Sequence, residues 1–434
     1  MGDAIFHKTR ENEMTTDYGF YEEIIKKYII TNIHLALKEP HSFIKYPFID
    51  PGSVYDGNVW DWDTFWATYG LLHMMDSFDA SLQSKIIRHA KGNVLNFLDH
   101  QLEDGYIPMM IEVATWKEPY LNMRHKEGVL MNMHKPFLCQ QIRLISEYIG
   151  DYEWISSSVP GLIKYFDYYY NTYFMEDKDL YVWCDDIMIG MDNDPASFGR
   201  PKFSTANIYL NSFMVEELQS MVDIMEALKI SGNEIYKERK KSLIEAIQAE
   251  CWDERDRFFY SVDVDIKTRK YDWFHQGLGV FWKTLPIRIM TWSGFIPLWA
   301  QFASEKQAEA MVGRYNDEDV FHSDYGVTTL AMNEKMFNLE ATNNPSNWLG
   351  GIWLVANYVV FRGFLNYGYV KEARELCHNS LKLLGEDIQK TGCMHEYYSP
   401  FDGHPIMNGG FINWNILALT MATELREFEK KIVK

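Results

Sequence analysis

Apolar residues recur at helical spacing in twelve stretches of this chain, near 17–38, 63–78, 80–100, 135–148, 151–175, 206–228, 233–252, 293–303, 305–315, 350–368, 370–388 and 410–432. They predict twelve helices of two kinds. In NEIYKERKKSLIEAIQAECW, Leu243, Ala246, Ile247 and Cys251 share one face and Lys and Glu take the other, the mark of an outer, amphipathic helix. GIWLVANYVVFRGF is apolar nearly all round, which suits a helix buried on every side. The two kinds alternate along the chain, with the eighth and ninth segments open to either reading.

The connections alternate too. Links after the apolar segments are short, around Gly150, Ser231-Gly232 or Gly368. Links after the amphipathic ones are long: 39–62, 101–134, 176–205, 253–292, 316–349 and 389–409. Long irregular loops are uncommon in a compact domain unless they carry function. Six helix pairs with alternating loop lengths predict an all-α ring, an (α/α)6 barrel in which every long loop opens at the same end. FFYSVDVDI (258–266) is expected to add a small hairpin strand in the fourth long loop. No Pro/Ser-rich linker interrupts the pattern, so the expectation is one domain over 1–434, with 1–16 a flexible tail.

Composition narrows the classes. The net charge of −19 argues against nonspecific binding to nucleic acid or an anionic membrane. Five widely spaced cysteines without a C-x-x-C favour reduced thiols over a disulfide framework or a zinc site. MGDAIFHKTRENEM has no apolar signal core and no stretch approaches 18 uninterrupted apolar residues, so a soluble, cytoplasmic protein is expected. Oligomeric state leaves no mark in the sequence. Tyr, Phe and Trp make up 15% of the chain, enough for a large aromatic core and also for stacking platforms under sugar rings.

The candidate chemistry sits in the long loops, where catalytic groups can be held by a rigid scaffold. Tyr181–Arg200, YVWCDDIMIGMDNDPASFGR, is broken by Gly190 and Pro195 and carries Asp185, Asp186, Asp192 and Asp194. The first long loop ends in YDGNVWDWDTFW, with Asp61, Trp62 and Asp63; before Thr64, Asp63 is equally an ordinary N-cap. His134 and Lys135 close the second loop, and Asn347, Trp348 and Trp353 stand at the end of the fifth. The sixth holds Glu396, Tyr397 and Tyr398. Two acids in aromatic-lined loops at one barrel mouth match the needs of glycoside hydrolysis, one carboxyl giving a proton and the other activating water or attacking. Burial among Trp183, Tyr397 and Tyr398 is expected to raise one of the two into the range of a general acid.

Other chemistries lack their signatures. There is no G-x-S-x-G, H-E-x-x-H, P-loop or G-x-G-x-x-G, and the aspartate run lacks EF-hand spacing. No cofactor is expected. Scattered histidines, among them His125, His134, His275, His322, His395 and His404, keep a sugar epimerase or a Tyr/His lyase on the same ring of helices as an alternative. A non-catalytic sugar-binding protein is the other.

Several blocks then carry a family likeness. PGSVYDGNVWDWDTFW is similar to the trehalase-type signature, a PGG stretch followed by Y-x-W-D-x-Y/F. GMDNDP resembles ESGMDNSP, NWLGGIWLVANYVVFRGFLNYGY resembles W-R-G-P-I-W-I-x-x-N-Y…Y-R-G-L…Y-G-Y, and HEYYSPFDG resembles E-Y-Y/F-x-P-x-x-G. In order from Pro51 to Trp414, these identify a member of glycoside hydrolase family 63, of the short single-domain bacterial type, in a clan shared with the family 37 trehalases. The resemblance implies Asp192 as general acid and Glu396 as general base of an inverting, exo-acting α-glycosidase, with carboxyls about 6.5–9.5 Å apart. It implies substrate contacts at Trp62, Asp63, Lys135, Gly190, Trp348, Trp353 and Tyr397. An α-glucosidase-like action on a small oligosaccharide or a glycosyl-glycerate is expected. Some relatives carry a structural calcium; nothing here forms a recognisable site for it. Departures fall on groups that read substrate: Met188-Ile189-Gly190 stands for ESG, Val54 near the arginine of PGGRF, Leu349-Gly350-Gly351 for R-G-P, and Lys135-Pro136-Phe137 for QPP.

Overall fold

The computed structural model describes residues 19–112, 117–266, 282–340 and 346–432. The expected tail over 1–16 and His275 lie outside the described residues. Helix α1, whose described part covers 19–32, is followed by α2 (Asp61–His73), α3 (Ala80–Asp99), α4 (Tyr120–Lys126), α5 (Leu138–Ile149), α6 (Val159–Tyr173), α7 (Ile208–Ala227) and α8 (Glu234–Ala246). The remainder are α9 (Ile296–Trp299), α10 (Glu305–Tyr315), α11 (Leu354–Asn366), α12 (Val370–Thr391) and α13 (Leu417–Ile432).

Contacts between helices close a circle. α2 packs on α5, α5 on α7, α7 on α9, α9 on α11, α11 on α13, and α13 returns to α2. This is the inner ring of an (α/α)6 barrel. Its members are buried on all sides: from Ile208 to Val215 in α7, and from Leu354 to Phe361 in α11, no side chain reaches solvent. The outer helices bury one stripe each, in α8 only Tyr236, Leu243 and Ala246. Rings close tightly where small residues allow it. At Gly363 of α11 a β-carbon would lie 2.9 Å from Leu298 of α9, so the α9–α11 crossing needs glycine there.

Several boundaries differ from the sequence expectation. The fourth inner element is a four-residue helix preceded by a 3-10 turn (Trp292–Phe295), because Pro297 sits in its first turn and Ser304 caps the next helix with a capping box. The sixth inner element likewise begins as a 3-10 turn, Asn413–Ile416. α4 appears inside the second long loop, where no helix is expected. FFYSVDVDI is split between two pairings. Phe258–Phe259 pairs with Trp252–Asp253, while Val262–Asp263 joins a three-stranded sheet with Thr205–Ala206 and Leu285–Pro286. That sheet ties the third long loop to the fourth. All five cysteines are free, and only Cys393 is not buried. Among the described residues no helix is long and apolar enough to cross a membrane, and no cluster of three or more His, Cys, Asp or Glu is placed to hold a metal ion.

Candidate active site

The long loops converge at the end of the ring where the inner helices begin. Tyr55, Trp60, Trp62 and Asp63 from the first loop and the start of α2 face Met109 and Lys135 from the second, Gly190 and Asp192 from the third, Ser346 from the fifth, Glu396 from the sixth and Trp414 beyond it. Together they line one cavity of about 70 Å³. Asp192 and Glu396, 204 positions apart in the chain, are thus walls of the same space.

The four aspartates of the third loop divide by role. Asp185 pairs with Lys202 at 2.8 Å, and Asp186 accepts from the Gly199 amide at 2.6 Å. Asp194 is buried; Asn207, the N-cap of α7, donates to it at 2.9 Å, and burial pushes its carboxyl up to about 6. Asn193 accepts from the Trp348 amide at 2.6 Å and donates to Asn347 at 3.0 Å. Asp192 is therefore presented to the cavity by neighbours fixed to α7 on one side and to the fifth loop on the other. Gly190 has φ +88°, and a β-carbon there would stand 3.0 Å from the Trp62 ring. Only glycine lets this loop lie against that indole.

Glu396 precedes the short hairpin of Tyr397–Tyr398 with Pro405–Met407, and its amide donates to the Met407 carbonyl at 3.1 Å. Tyr55 donates its hydroxyl to one carboxyl oxygen at 2.8 Å, and Asn408 donates to the other. Burial pushes the carboxyl up to about 7, against the two hydrogen bonds; the charge of Asp192 adds to the rise. The elevation expected of a general acid thus falls on Glu396. Asp63 is also buried, and burial carries it up to about 8 although Lys135 pulls it down. It is not an N-cap. Trp60 holds that position, and Asp63 lies in the first turn of α2, accepting from Asn413.

Lys135 and Asp61 are wholly buried, with Nζ 2.7 Å from Asp61 Oδ1. Asp61 also accepts from the amides of Trp62 and Lys135, both at 2.7 Å. Three residues expected to touch substrate do not line the cavity. Trp348 stacks on Trp353 at 4.0 Å, and Trp353 on Tyr397 at 4.7 Å, a column of rings behind the walls. Trp348 reaches Trp62 at 5.7 Å, so the column backs the ring that does line the space. Flat rings stack best on one another when the backbone brings them together, and here the fifth and sixth loops do so. Trp183 is likewise buried beside Tyr209 and does not line the cavity.

Among the described residues no histidine lines the cavity. His134 is buried, its Nδ1 2.7 Å from the Lys135 carbonyl and its ring edge-on to Phe97; burial holds it down to about 4. His322 pairs with Glu375 at 3.0 Å. Neither lines the cavity, which removes the basis for an epimerase built on them. Sequence reasoning missed Tyr55, Trp60, Met109, Ser346, Asn408 and Trp414. Tyr55 and Trp60 lie inside the motif block that points to Trp62 and Asp63, and Asn408 (φ 54°) opens N-G-G at the end of the sixth loop. Those two signals were legible; nothing in the pattern marks Met109 or Ser346.

Residues 56–414 match the mannosylglycerate hydrolase MGH1-like glycoside hydrolase domain. The chain belongs to this family, within glycoside hydrolase family 63. Among curated proteins, mannosylglycerate hydrolase MGH1 of Selaginella moellendorffii is 30% identical over 166 residues, 38% of this chain and 30% of that protein. An uncharacterised protein of Borreliella burgdorferi is 22% identical over 73% of this chain and 56% of its own length. The matches therefore span from under a third to just over half of these relatives. Among solved structures, the family 63 mannosylglycerate hydrolase of Thermus thermophilus in complex with glucose superposes with a TM-score of 0.66 at 17% identity, covering 91% of this chain and 98% of that one. The neutral trehalase Nth1 of Saccharomyces cerevisiae gives 0.58 at 14% identity over 94% and 81%. Both share the barrel.

Proposed function

We propose that this family member is an inverting, exo-acting α-glycosidase whose substrate is a small glycosyl-glycerate. Asp192 protonates the glycosidic oxygen, and Glu396 takes a proton from a water that attacks the opposite face of the anomeric carbon. The observation that carries the reading is the shared cavity: two carboxyls from different loops wall a space of about 70 Å³, far below the roughly 300–1,000 Å³ of pockets for larger ligands. So narrow a space between the two carboxyls favours a small substrate over a long glycan chain. A glycosyl-glycerate is favoured over a general α-glucoside because the family and its curated relatives carry the mannosylglycerate name.

The raised Glu396 fits a base only when its proton is gone. The charge on Asp192 contributes to the elevation, so a proton placed on Asp192 lowers Glu396 and stabilises the productive arrangement, acid on one wall and carboxylate on the other. Below about pH 7 the free protein carries its proton on Glu396, and kcat/KM falls on the acid side. Asp63, beside Trp62 and backed by Asn413, offers a hydrogen bond to a sugar hydroxyl. The test is incubation with α-mannosyl-D-glycerate and α-glucosyl-D-glycerate while NMR follows the first product anomer. The β anomer is expected first; an α anomer first overturns inversion. Undiminished cleavage by Asp192→Asn sinks the role given to that residue.

A further inference from the structure

The turn that carries Tyr55, DPGSVYDG over 50–57, folds around one side chain. Asp50 has no exposed side-chain surface and does not line the cavity. Its Oδ1 accepts from the Gly52 amide at 2.9 Å and its Oδ2 from the Gly57 amide at 3.0 Å. Both ends of the turn thus meet on one carboxylate. Gly52 and Gly57 stand at φ +81° and +82°, backbone that glycine adopts without strain. Lys38, on the strand Leu37–Lys38, lies 3.4 Å from Oδ2 and also pairs with Asp56. The other side of the turn is tied to the sixth loop: the Ser53 hydroxyl donates to the Gly409 carbonyl at 3.1 Å, and Gly52 bridges Phe411. A buried carboxylate is costly, and the hydrogen bonds that offset this one serve a single turn.

We infer that Asp50 is a positioning residue for Glu396: it gathers the 50–57 turn so that the Tyr55 hydroxyl stays on that carboxyl. The inference rests on the proposed glycosidase reading for the base role of Glu396, and extends it to a residue outside the cavity. Asparagine at 50 keeps the shape but accepts from only one of the two amides, its own NH2 facing the other. The turn is then released at Gly57, two residues from Tyr55. Loss of the Tyr55 hydrogen bond disfavours the Glu396 carboxylate, so its titration moves to higher pH. Removal of the Asp50 charge by itself acts the other way, because one negative charge fewer makes Glu396 easier to ionise. The sign of the shift separates positioning from electrostatics.

The experiment compares the unsubstituted protein with Tyr55→Phe, Asp50→Asn and the double variant. Glu396 is titrated by carbon-13 NMR of protein labelled at the glutamate carboxyls, its signal assigned by loss in Glu396→Gln. Turnover of α-mannosyl-D-glycerate gives kcat and KM. Tyr55→Phe is expected to raise the Glu396 midpoint by about one pH unit, the worth of a hydrogen bond to a charged group. Asp50→Asn should move it the same way by a similar or smaller amount and lower kcat about tenfold with little change in KM. In the double variant Asp50→Asn should add nothing, because its effect passes through the Tyr55 hydroxyl. A midpoint that stays or falls in Asp50→Asn overturns the inference, and so does a shift that persists in the Tyr55→Phe background. A lower melting temperature with Glu396 unmoved makes Asp50 structural only, which overturns it too. Should Asp50→Asn not fold, Lys38→Met takes its place. Burial pushes the Asp50 carboxyl up to about 7 even with Lys38 pulling it down, so without Lys38 it keeps its proton and loses an acceptor. The same upward shift, absent in the Tyr55→Phe background, is expected; a shift in both backgrounds, or in neither, overturns the inference. If the unsubstituted protein cleaves no glycoside, the glycosidase reading fails, while the NMR titration still decides whether Asp50 positions Tyr55 on Glu396.

Discussion

Two buried glutamates in this barrel face opposite fates. Glu424 of α13 receives the hydroxyls of Tyr69 at 2.8 Å and Tyr358 at 3.0 Å, and lies 3.3 Å from Arg362. Glu396 receives Tyr55 and Asn408, both neutral, and the charge of another carboxyl, Asp192, raises it further. The first has a cation to hold its charge; the second has been left without one. With its cation partner Glu424 is part of the frame, whereas Glu396, raised to about 7 without one and facing the cavity, can exchange its proton near neutrality. Cavity size does not make this distinction. A larger cavity of about 320 Å³, lined by Tyr69, His73 and Arg143, opens near the other end of α2, and there Arg143 is engaged with Asp223 at 2.9 Å.

The comparison breaks most visibly under paired substitutions. Glu396→Gln should lower kcat by about 10²–10⁴-fold, the usual share of a general base, with little change in Tm. Glu424→Gln should do the reverse, keeping kcat and costing on the order of 1–3 kcal/mol because Tyr69, Tyr358 and Arg362 lose their shared carboxyl. Rate assays and thermal melts on the same two proteins check both. If Glu424→Gln loses activity while fully folded, the division fails.

Next in size is Asn193→Ala. It cuts the tie between the third and fifth loops and should cost roughly tenfold or more in kcat with smaller change in KM, as expected for a misplaced acid. A third change sharpens the Glu396 environment. The Tyr55 hydrogen bond holds the carboxyl down, so Tyr55→Phe should move the acid limb of kcat/KM to higher pH, with the largest loss below pH 7. The smallest effect concerns stability. Asp63, Glu217 and Glu396 are raised to about 8, 7 and 7 by burial, so the folded protein holds protons that the unfolded chain has released. Their contribution is complete below the unfolded carboxyl range near 4 and is lost as pH rises through 7 to 8. Melting should therefore occur a few degrees lower at pH 8 than at pH 5.5, and Asp63→Asn should flatten that slope.

Much of this was legible along the chain. The alternation of all-apolar and one-faced helices, with loop lengths in step, is a local pattern that permits only a closed ring, and the ring formed. Glu396, Asp192, Trp62, Asp63, Gly190 and Lys135 reach the cavity because motif residues at loop ends have few other places to go. Trp348, Trp353 and Tyr397 looked the same from the sequence and do not line it. An indole beside a pocket and an indole in it have the same spacing, and only packing against other rings separates them. The short fourth inner helix shows the same limit: its apolar run predicted a longer element, and Pro297 with the Ser304 capping box divided it.

Periodicity and loop length, which act between neighbours in the chain, determined the barrel and the end at which its chemistry lies. Tertiary structure alone decided which acid has a cation and which does not. That depends on side chains hundreds of positions apart, Tyr55 with Glu396 among them, on pairings such as Arg362 with Glu424, and on how much water is excluded around each. Burial and pairing are properties of the packed interior, and no local pattern carries them.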